Sequence, residues 1–434
     1  MITGVGCVTP LGATTESVWQ GLTEGRSGIG PLTLFDASQF PVKIAAEVRD
    51  WSLADVGENP SRWEHCPRQT TFALGAGIKA ATMACIPDGR IDPARLGVYL
   101  GCGEAFEDFP RFIRSICDAS GAGEFESANF TETALRIFDP DAEREYLPNT
   151  PVSHLAALLN AQGPNANCIA ACVSSAQAVG EAARLIRHGD ADVMLAGGAH
   201  STIHPFGVTG FHRLSALSTR NEAPSTAIRP FDRERDGFVI GEGAAIFVME
   251  ELEHARGRGA EIWAEFTGYG SAQDAYRITD THPQGEGTSI AIQRALDNAQ
   301  LNSDEINYIN AHGSGTVLND KVETLAIKRV FGEQAYRIPI SSSKSMLGHS
   351  TTACGAIELA VCLMTIRHGV VPPTINYTTP DPECDLDYVP NVARESPCRH
   401  VLSESIGFGG QNAAVIVSRF DERAPGRVAT RRAA

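Results

Sequence analysis

Four short segments of this chain carry residues able to do chemistry together. The first, Asn167-Cys168-Ile169-Ala170-Ala171-Cys172-Val173-Ser174-Ser175-Ala176, presents Cys172 just ahead of Gln177 to His188, a stretch with amphipathic helical spacing. A thiol at a helix N-terminus meets unpaired backbone N–H groups and the positive end of the macrodipole, which favours a thiolate near neutral pH and hence a nucleophile. Free cysteines are more often small buried hydrophobes, so the segment alone does not decide. The second segment, Asn310-Ala311-His312-Gly313-Ser314-Gly315-Thr316, sets a histidine at a strand end in a glycine-rich loop. The third, Ser343-Lys344-Ser345-Met346-Leu347-Gly348-His349-Ser350, sets another just before a helix. The fourth, Ser405-Ile406-Gly407-Phe408-Gly409-Gly410-Gln411-Asn412, is a turn whose glycines let the backbone approach a ligand. Singly each is weak, because loop histidines are usually structural and glycine turns are common. Together they are the parts of an acyl-transfer site: a cysteine nucleophile, two imidazoles, and backbone donors for an oxyanion. Spacing alone does not require them to converge.

The elements that must position these segments alternate strand and helix, an α/β pattern. Ala191 to Ala199 and Ala244 to Met249 read as buried strands, followed by Ile262 to Tyr269, Ile306 to Ala311, Val401 to Ser405 and Ala413 to Ser418. Gly287 to Gln300, Lys321 to Phe331 and Gly355 to Arg367 have helical spacing. Glu104 to Pro148 is less regular, rich in acids and aromatics, and reads as an excursion from the core. A strand, a reactive residue and a helix follow one another in both halves, which suggests a duplicated unit with its seam between Glu250 and Gly259, although no sequence repeat is evident.

The totals bound the function. A chain of 434 residues can bury a large core and has room for two domain-sized halves. With 43% hydrophobic and 20% charged residues it has the composition of a soluble globule, and no apolar run reaches the ~18 residues of a membrane span. The N-terminus lacks the n-region and h-region of a secretory signal, so the 11 scattered cysteines read as reduced thiols of a cytoplasmic protein. They show no zinc-finger spacing, and no metal site is expected. A net charge of −16 excludes nucleic acid as the main partner. The Arg-rich end, residues 421–434, reads as a disordered tail.

In order and spacing, the four segments resemble the elongating β-ketoacyl-acyl-carrier-protein synthases, the Cys-His-His kind with a thiolase fold. The likeness runs from Thr3-Gly4-Val5-Gly6 to Ser418, with Arg229-Pro230-Phe231-Asp232, Arg235-Asp236-Gly237-Phe238 and Gly241-Glu242-Gly243-Ala244 as further support. Val370-Val371-Pro372-Pro373-Thr374 and Asp381-Pro382-Glu383-Cys384-Asp385 resemble the ketosynthase subunit of bacterial type II polyketide systems in particular. The resemblance implies a layered α-β-α-β-α core of two halves: residues 1–255 carrying the nucleophile and residues 256–420 carrying both histidines. It implies a dimer, either of identical chains or with a chain-length-factor homologue that lacks the nucleophile. It also implies substrates delivered on the phosphopantetheine arm of an acyl carrier protein, with no permanently bound cofactor.

The resemblance further implies a role for each residue. Cys172 would accept the acyl group, while His312 and His349 would promote decarboxylation of malonyl-carrier protein. The oxyanion would be met by the backbone N–H groups of Cys172 and Phe408. Lys344 and Glu358 would support the site, and Asp320 would stand behind it. Ser314 and Thr316 would bind the pantetheine arm; Phe211, Phe408 and Gly409 would line the acyl pocket and its gate. Departures from the pattern are Ala170 for Thr, Ser175 for Gly, Gln411 for Thr, and Ser215 where fatty-acid homologues carry a basic docking residue, a role that Arg213 would then take. The segment before Cys172 is also longer, by about a dozen residues, and loops of that length are usually functional. The competing readings are a fatty-acid elongating synthase of primary metabolism, a degradative thiolase, and a non-catalytic scaffold subunit. A thiolase would need a cysteine in the turn that here carries Phe408. An initiating synthase would carry Asn in place of His349. A scaffold would have lost Cys172.

Overall fold

The computed structural model describes residues 1–86, 89–106, 108–121 and 123–422. Most of the segment read as a disordered tail, residues 423–434, lies outside the described residues.

Two five-stranded sheets form the frame, and they repeat one another. The first runs, edge to edge, Asn165–Asn167, Leu96–Cys102, Val193–Ser201, Glu242–Glu250 and Ile2–Val8. The second runs Ile340–Ser341, Tyr308–Asn310, His400–Gly407, Gln411–Ser418 and Glu265–Gln273. In chain order within its half, each sheet is arranged third, second, fourth, fifth, first. In each, the first two pairings are parallel and the last two antiparallel. The duplication suggested by the sequence is therefore present in the topology.

Both faces of each sheet are covered, so the strands read as nearly continuous apolar runs rather than alternating ones. In Val193–Ser201, Val193 and Leu195 pack outward against the Arg68–Met83 helix, while Met194 and Ala196 pack inward. Leu402, Ala414 and Ile416 of the second sheet likewise face an outer layer that includes Glu286–Ala299, and Val401, Val415 and Val417 face inward. Between the sheets lie two helices, Ser174–His188 and Cys354–His368, the second buried along almost its whole length. The result is five layers, α-β-α-β-α. Because the two central helices begin side by side, the residues just ahead of them, Cys172 and His349, are drawn toward one place.

The segment expected to be irregular, Glu104 to Pro148, instead contains three helices: Phe109–Ser120, Ser127–Ile137 and Pro140–Arg144. Asp108 and Asp139 cap two of them, each with a proline in the first turn, and so start helices where apolar periodicity is weak.

Candidate active site

Cys172 stands on a tight turn at the mouth of the Ser174–His188 helix. Ala171 adopts φ +49°, a left-handed conformation unusual for a residue with a Cβ. Ser174 stabilises the turn: its hydroxyl donates to the Ala171 carbonyl at 2.6 Å and accepts from the Ala170 N–H at 2.8 Å. Ser175, a departure from the family pattern, accepts from the Ala356 N–H at 3.0 Å and so satisfies a free donor of the neighbouring central helix. The thiol itself corrects the expectation from helix position. Burial pushes it up to about 11, against the lowering effect of Lys344 and of the backbone N–H groups of Phe408 and Cys172 that face it. Desolvation wins over the helix terminus, and the resting sulfur is a protonated thiol.

The histidines share a cavity of about 310 Å³ with Cys172. Their rings stand edge to face, with centroids 5.2 Å apart. Lys344 lies beneath His312, donating to its carbonyl at 2.7 Å and to Nδ1 at 3.3 Å, and pairs with the buried Glu358. An ammonium only donates, so Nδ1 of His312 accepts and the ring hydrogen sits on Nε2. The backbone of His312 is fixed as well, its N–H and that of Gly313 donating to Glu323 at 2.5 and 2.8 Å. His349 is clamped through its backbone, donating to Val239 and accepting from Gly241, and Phe238 packs edge-on against its ring at 5.0 Å. Burial first, and the Lys344 charge second, hold both imidazoles well below the usual histidine range. Both are neutral N–H donors at physiological pH, and Lys344 is held charged by Glu358.

The remaining expected residues fall around this centre. Ser314 and Thr316 line the cavity with hydroxyls 3.0 Å apart. Asp320 is fully buried behind that loop, accepting from the N–H groups of Gly315 and Phe231 and lying 3.7 Å from Arg235. Phe408 and Phe211 line the cavity with ring centroids 6.5 Å apart. Gly409 sits off it: its N–H donates to the Ile278 carbonyl and its carbonyl accepts from Gln273. Its φ of +79° is what turns the chain back after Phe408. Gly407 passes so near the nucleophile that a Cβ there would lie 3.0 Å from the Cys172 nitrogen.

Three buried residues escaped the sequence reading. Glu323 is one of them. Glu404 is another: burial and the neighbouring Glu323 and Glu358 hold its carboxyl well above the usual range, and neither oxygen has a hydrogen-bond partner among the described residues. The third, His200, reaches across from the first sheet to bond Thr351. None belongs to a local motif, so only the fold brings them to the site. Among the described residues two groupings have ligand types suited to a metal. In His312, Cys354 and Glu358 the Lys344 ammonium already supplies the positive charge. In Cys66, Glu145 and His154 the thiol and the imidazole both bond the carboxylate, at 3.2 and 2.8 Å. No helix among the described residues is long and apolar enough to cross a membrane.

Duplicated halves in five layers, with a cysteine and two histidines at their junction, define a condensing enzyme of the thiolase-like class. The family description "Beta-ketoacyl synthase, N-terminal domain" matches residues 1–255, and "Beta-ketoacyl synthase, C-terminal domain" matches residues 263–378; the chain belongs to the β-ketoacyl synthase family. It is similar to the tetracenomycin polyketide synthase ketoacyl synthase alpha subunit of Streptomyces glaucescens, 41% identical over 97% of each chain. It is equally similar to 3-oxoacyl-[acyl-carrier-protein] synthase 2 of Coxiella burnetii, 41% identical over 97% of this chain and 99% of that one. Among solved structures, a type II polyketide ketosynthase in complex with its acyl-carrier protein and bound to a hexaketide superposes with a TM-score of 0.85. It is 34% identical over 97% of this chain and 98% of that one. The ishigamide ketosynthase/chain length factor superposes equally well, at 0.85, with 33% identity over 97% of this chain and 98% of that one.

Proposed function

We propose that this chain is the catalytic ketosynthase of a type II system, joining an acyl chain on Cys172 to a malonyl unit carried by an acyl carrier protein. The observation that carries the reading is a pair of neutral imidazoles, 5.2 Å apart, in one cavity with a cysteine sulfur. In the first half-reaction the Cys172 sulfur attacks the acyl thioester and its proton leaves with the pantetheine thiol. The N–H groups of Cys172 and Phe408, both directed at the sulfur, are suited to meet the oxyanion. In the second, malonyl-carrier loses carbon dioxide, and the electron pair moves onto the thioester carbonyl as an enolate. His312 Nε2–H and the His349 ring donate to that oxygen. The enolate carbon attacks the acyl carbon and the bond to sulfur breaks. The thiolate takes a proton from solvent, and a β-ketoacyl carrier departs.

The electrostatics fit this division of labour. Imidazolium ions beside Lys344 would be costly, whereas neutral donors stabilise a developing enolate and remain neutral afterwards. Ser314 and Thr316 at the cavity wall suit the amides of a pantetheine arm, and Phe408 suits a gate. Residues 1–255 and 256–420 serve as the two halves, with a second chain, identical or a chain-length factor, completing the assembly.

Mass analysis of carrier-bound products tests the reading. Wild type should convert acyl- and malonyl-carrier to a β-ketoacyl carrier two carbons longer, with release of carbon dioxide. Cys172→Ala should make no condensed product. His312→Ala should still acylate Cys172 but lose decarboxylation by about 10²-fold or more. Absence of any acyl adduct on Cys172 in the wild type would overturn the proposal.

A further inference from the structure

His200 is the last residue but one of the Val193–Ser201 strand in the first sheet, yet its ring touches the second half of the molecule. It is buried, and a Cβ on Gly103 would lie 2.4 Å from its Nε2, so the ring fills the space that glycine leaves. Nε2 lies 3.4 Å from the Glu104 carbonyl, and Nδ1 is hydrogen-bonded to the Thr351 hydroxyl. A carbonyl only accepts, so the ring hydrogen is on Nε2, and Nδ1 accepts the Thr351 hydroxyl hydrogen.

Thr351 is the unusual partner. It lines the catalytic cavity two residues after His349, and its φ is +45°, a left-handed conformation that a β-branched residue adopts only under constraint. Strain of this kind persists where surrounding groups over-determine it, and it concentrates at functional sites. Its side chain is fixed by the bond to His200. The N–H of His349 donates to Val239 and its carbonyl accepts from Gly241, and beyond that carbonyl the chain runs through Ser350 to this strained turn before the central helix begins. The two histidines are close enough that a charge on His200 would depress His349.

We propose that His200 is a positioning residue for the decarboxylating pair: it holds Thr351 in the strained turn that follows His349 and ties that turn to Glu104, at the root of the 104–148 excursion. The proposal rests on the assignment of His312 and His349 as the decarboxylating pair. It gives the excursion a physical link to the chemistry, through one imidazole spanning both halves.

The test compares His200→Ala, His200→Asn, Thr351→Gly and the double variant His200→Ala/Thr351→Gly in the full-length protein. Two rates are followed: carbon dioxide release from malonyl-carrier and acylation of Cys172. His200→Ala should lower kcat for decarboxylation between about tenfold and a hundredfold, the cost of a small misplacement, with KM and the acylation rate within about twofold of wild type. His200→Asn, whose amide oxygen overlays Nδ1, should recover most of the loss. Thr351→Gly accepts φ +45° without a side-chain anchor, so adding His200→Ala to it should cost little more. An unchanged kcat in His200→Ala would overturn the proposal, as would an equal fall in both rates, or an undiminished His200→Ala effect in the Thr351→Gly background. If wild type itself releases no carbon dioxide, the assignment of the histidine pair fails rather than this one.

Discussion

At the scale of single residues, the Cys172 thiol decides how the site is used. Burial holds it at about 11 despite Lys344 and two backbone donors, so the free enzyme keeps almost no thiolate at neutral pH. Alkylation by iodoacetamide, followed by peptide mass analysis at Cys172, should therefore accelerate about tenfold per pH unit from pH 7 to pH 10. A plateau beginning below pH 8 would show instead that the helix terminus prevails over desolvation. The sequence made the nucleophile legible and misjudged its resting state, for one reason: position ahead of a helix is local, whereas the low-dielectric walls come from Phe408 and from the loops carrying His312 and His349. His312, His349 and Phe408 were legible because each sits in a short glycine-marked segment. Glu323, Glu404 and His200 were not, because a buried glutamate in a helix or strand looks like any surface acid until its neighbours are known.

At the scale of elements, two turns meet: the strained Ala171 corner ahead of the nucleophile helix, and the Gly407–Gly410 bend. Gly407 has φ −131°, which any residue accepts, so an added methyl acts by crowding alone. It would lie 3.0 Å from the Cys172 nitrogen and 3.4 Å from that of Val173. Gly407→Ala should thus slow acylation of Cys172 by about 10²- to 10³-fold, the usual cost of disabling one oxyanion donor, while the thermal midpoint stays within a few degrees of wild type. Unimpaired acylation would remove the Cys172 N–H from the oxyanion role. The strands on either side of the Gly407–Gly410 bend were read correctly in kind from their apolar runs, with ends displaced by a few residues, whereas the short Asn165–Asn167 strand ahead of the Ala171 corner has no apolar run and was not read. Their duplication was harder to see, since the repeat is one of topology. Its trace in the sequence is Gly4-Val5-Gly6 and Gly268-Tyr269-Gly270, on the first strand of each half. There a Cβ would strike the carbonyls of Ala80 and Ala76, or of Ala295 and Ala291, at 1.9 to 2.4 Å. The glycines let an alanine-lined outer helix lie flush on each sheet. Two glycines in each half are too short a pattern to reveal a repeat without the helices beside them.

At the scale of the whole molecule, stability is unevenly distributed, and the unevenness lies beside the site. Thirteen of the fifteen residues of the Cys354–His368 helix are buried between the sheets. The three excursion helices bury only Ser115, Ala119 and Thr133. What fixes the first of them is aromatic: Phe109 and Phe112 pack edge-on against Phe206 at 5.0 and 5.4 Å, and just ahead of that helix Phe106 stacks on His204 at 4.9 Å. Those partners begin the Pro205–Arg213 helix, whose far end carries Phe211 into the cavity. A segment with so little buried surface opens locally, whereas the central helices exchange amide hydrogens only when the whole core unfolds. Hydrogen exchange read by mass spectrometry should therefore show residues 109–144 exchanging at least about a hundredfold faster than residues 356–366, a gap of roughly 3 kcal/mol in opening free energy. Phe206→Ala removes the aromatic anchor, and should widen the gap by speeding the excursion without altering the central helix. Equal protection in both regions would mean that the excursion folds as part of the core.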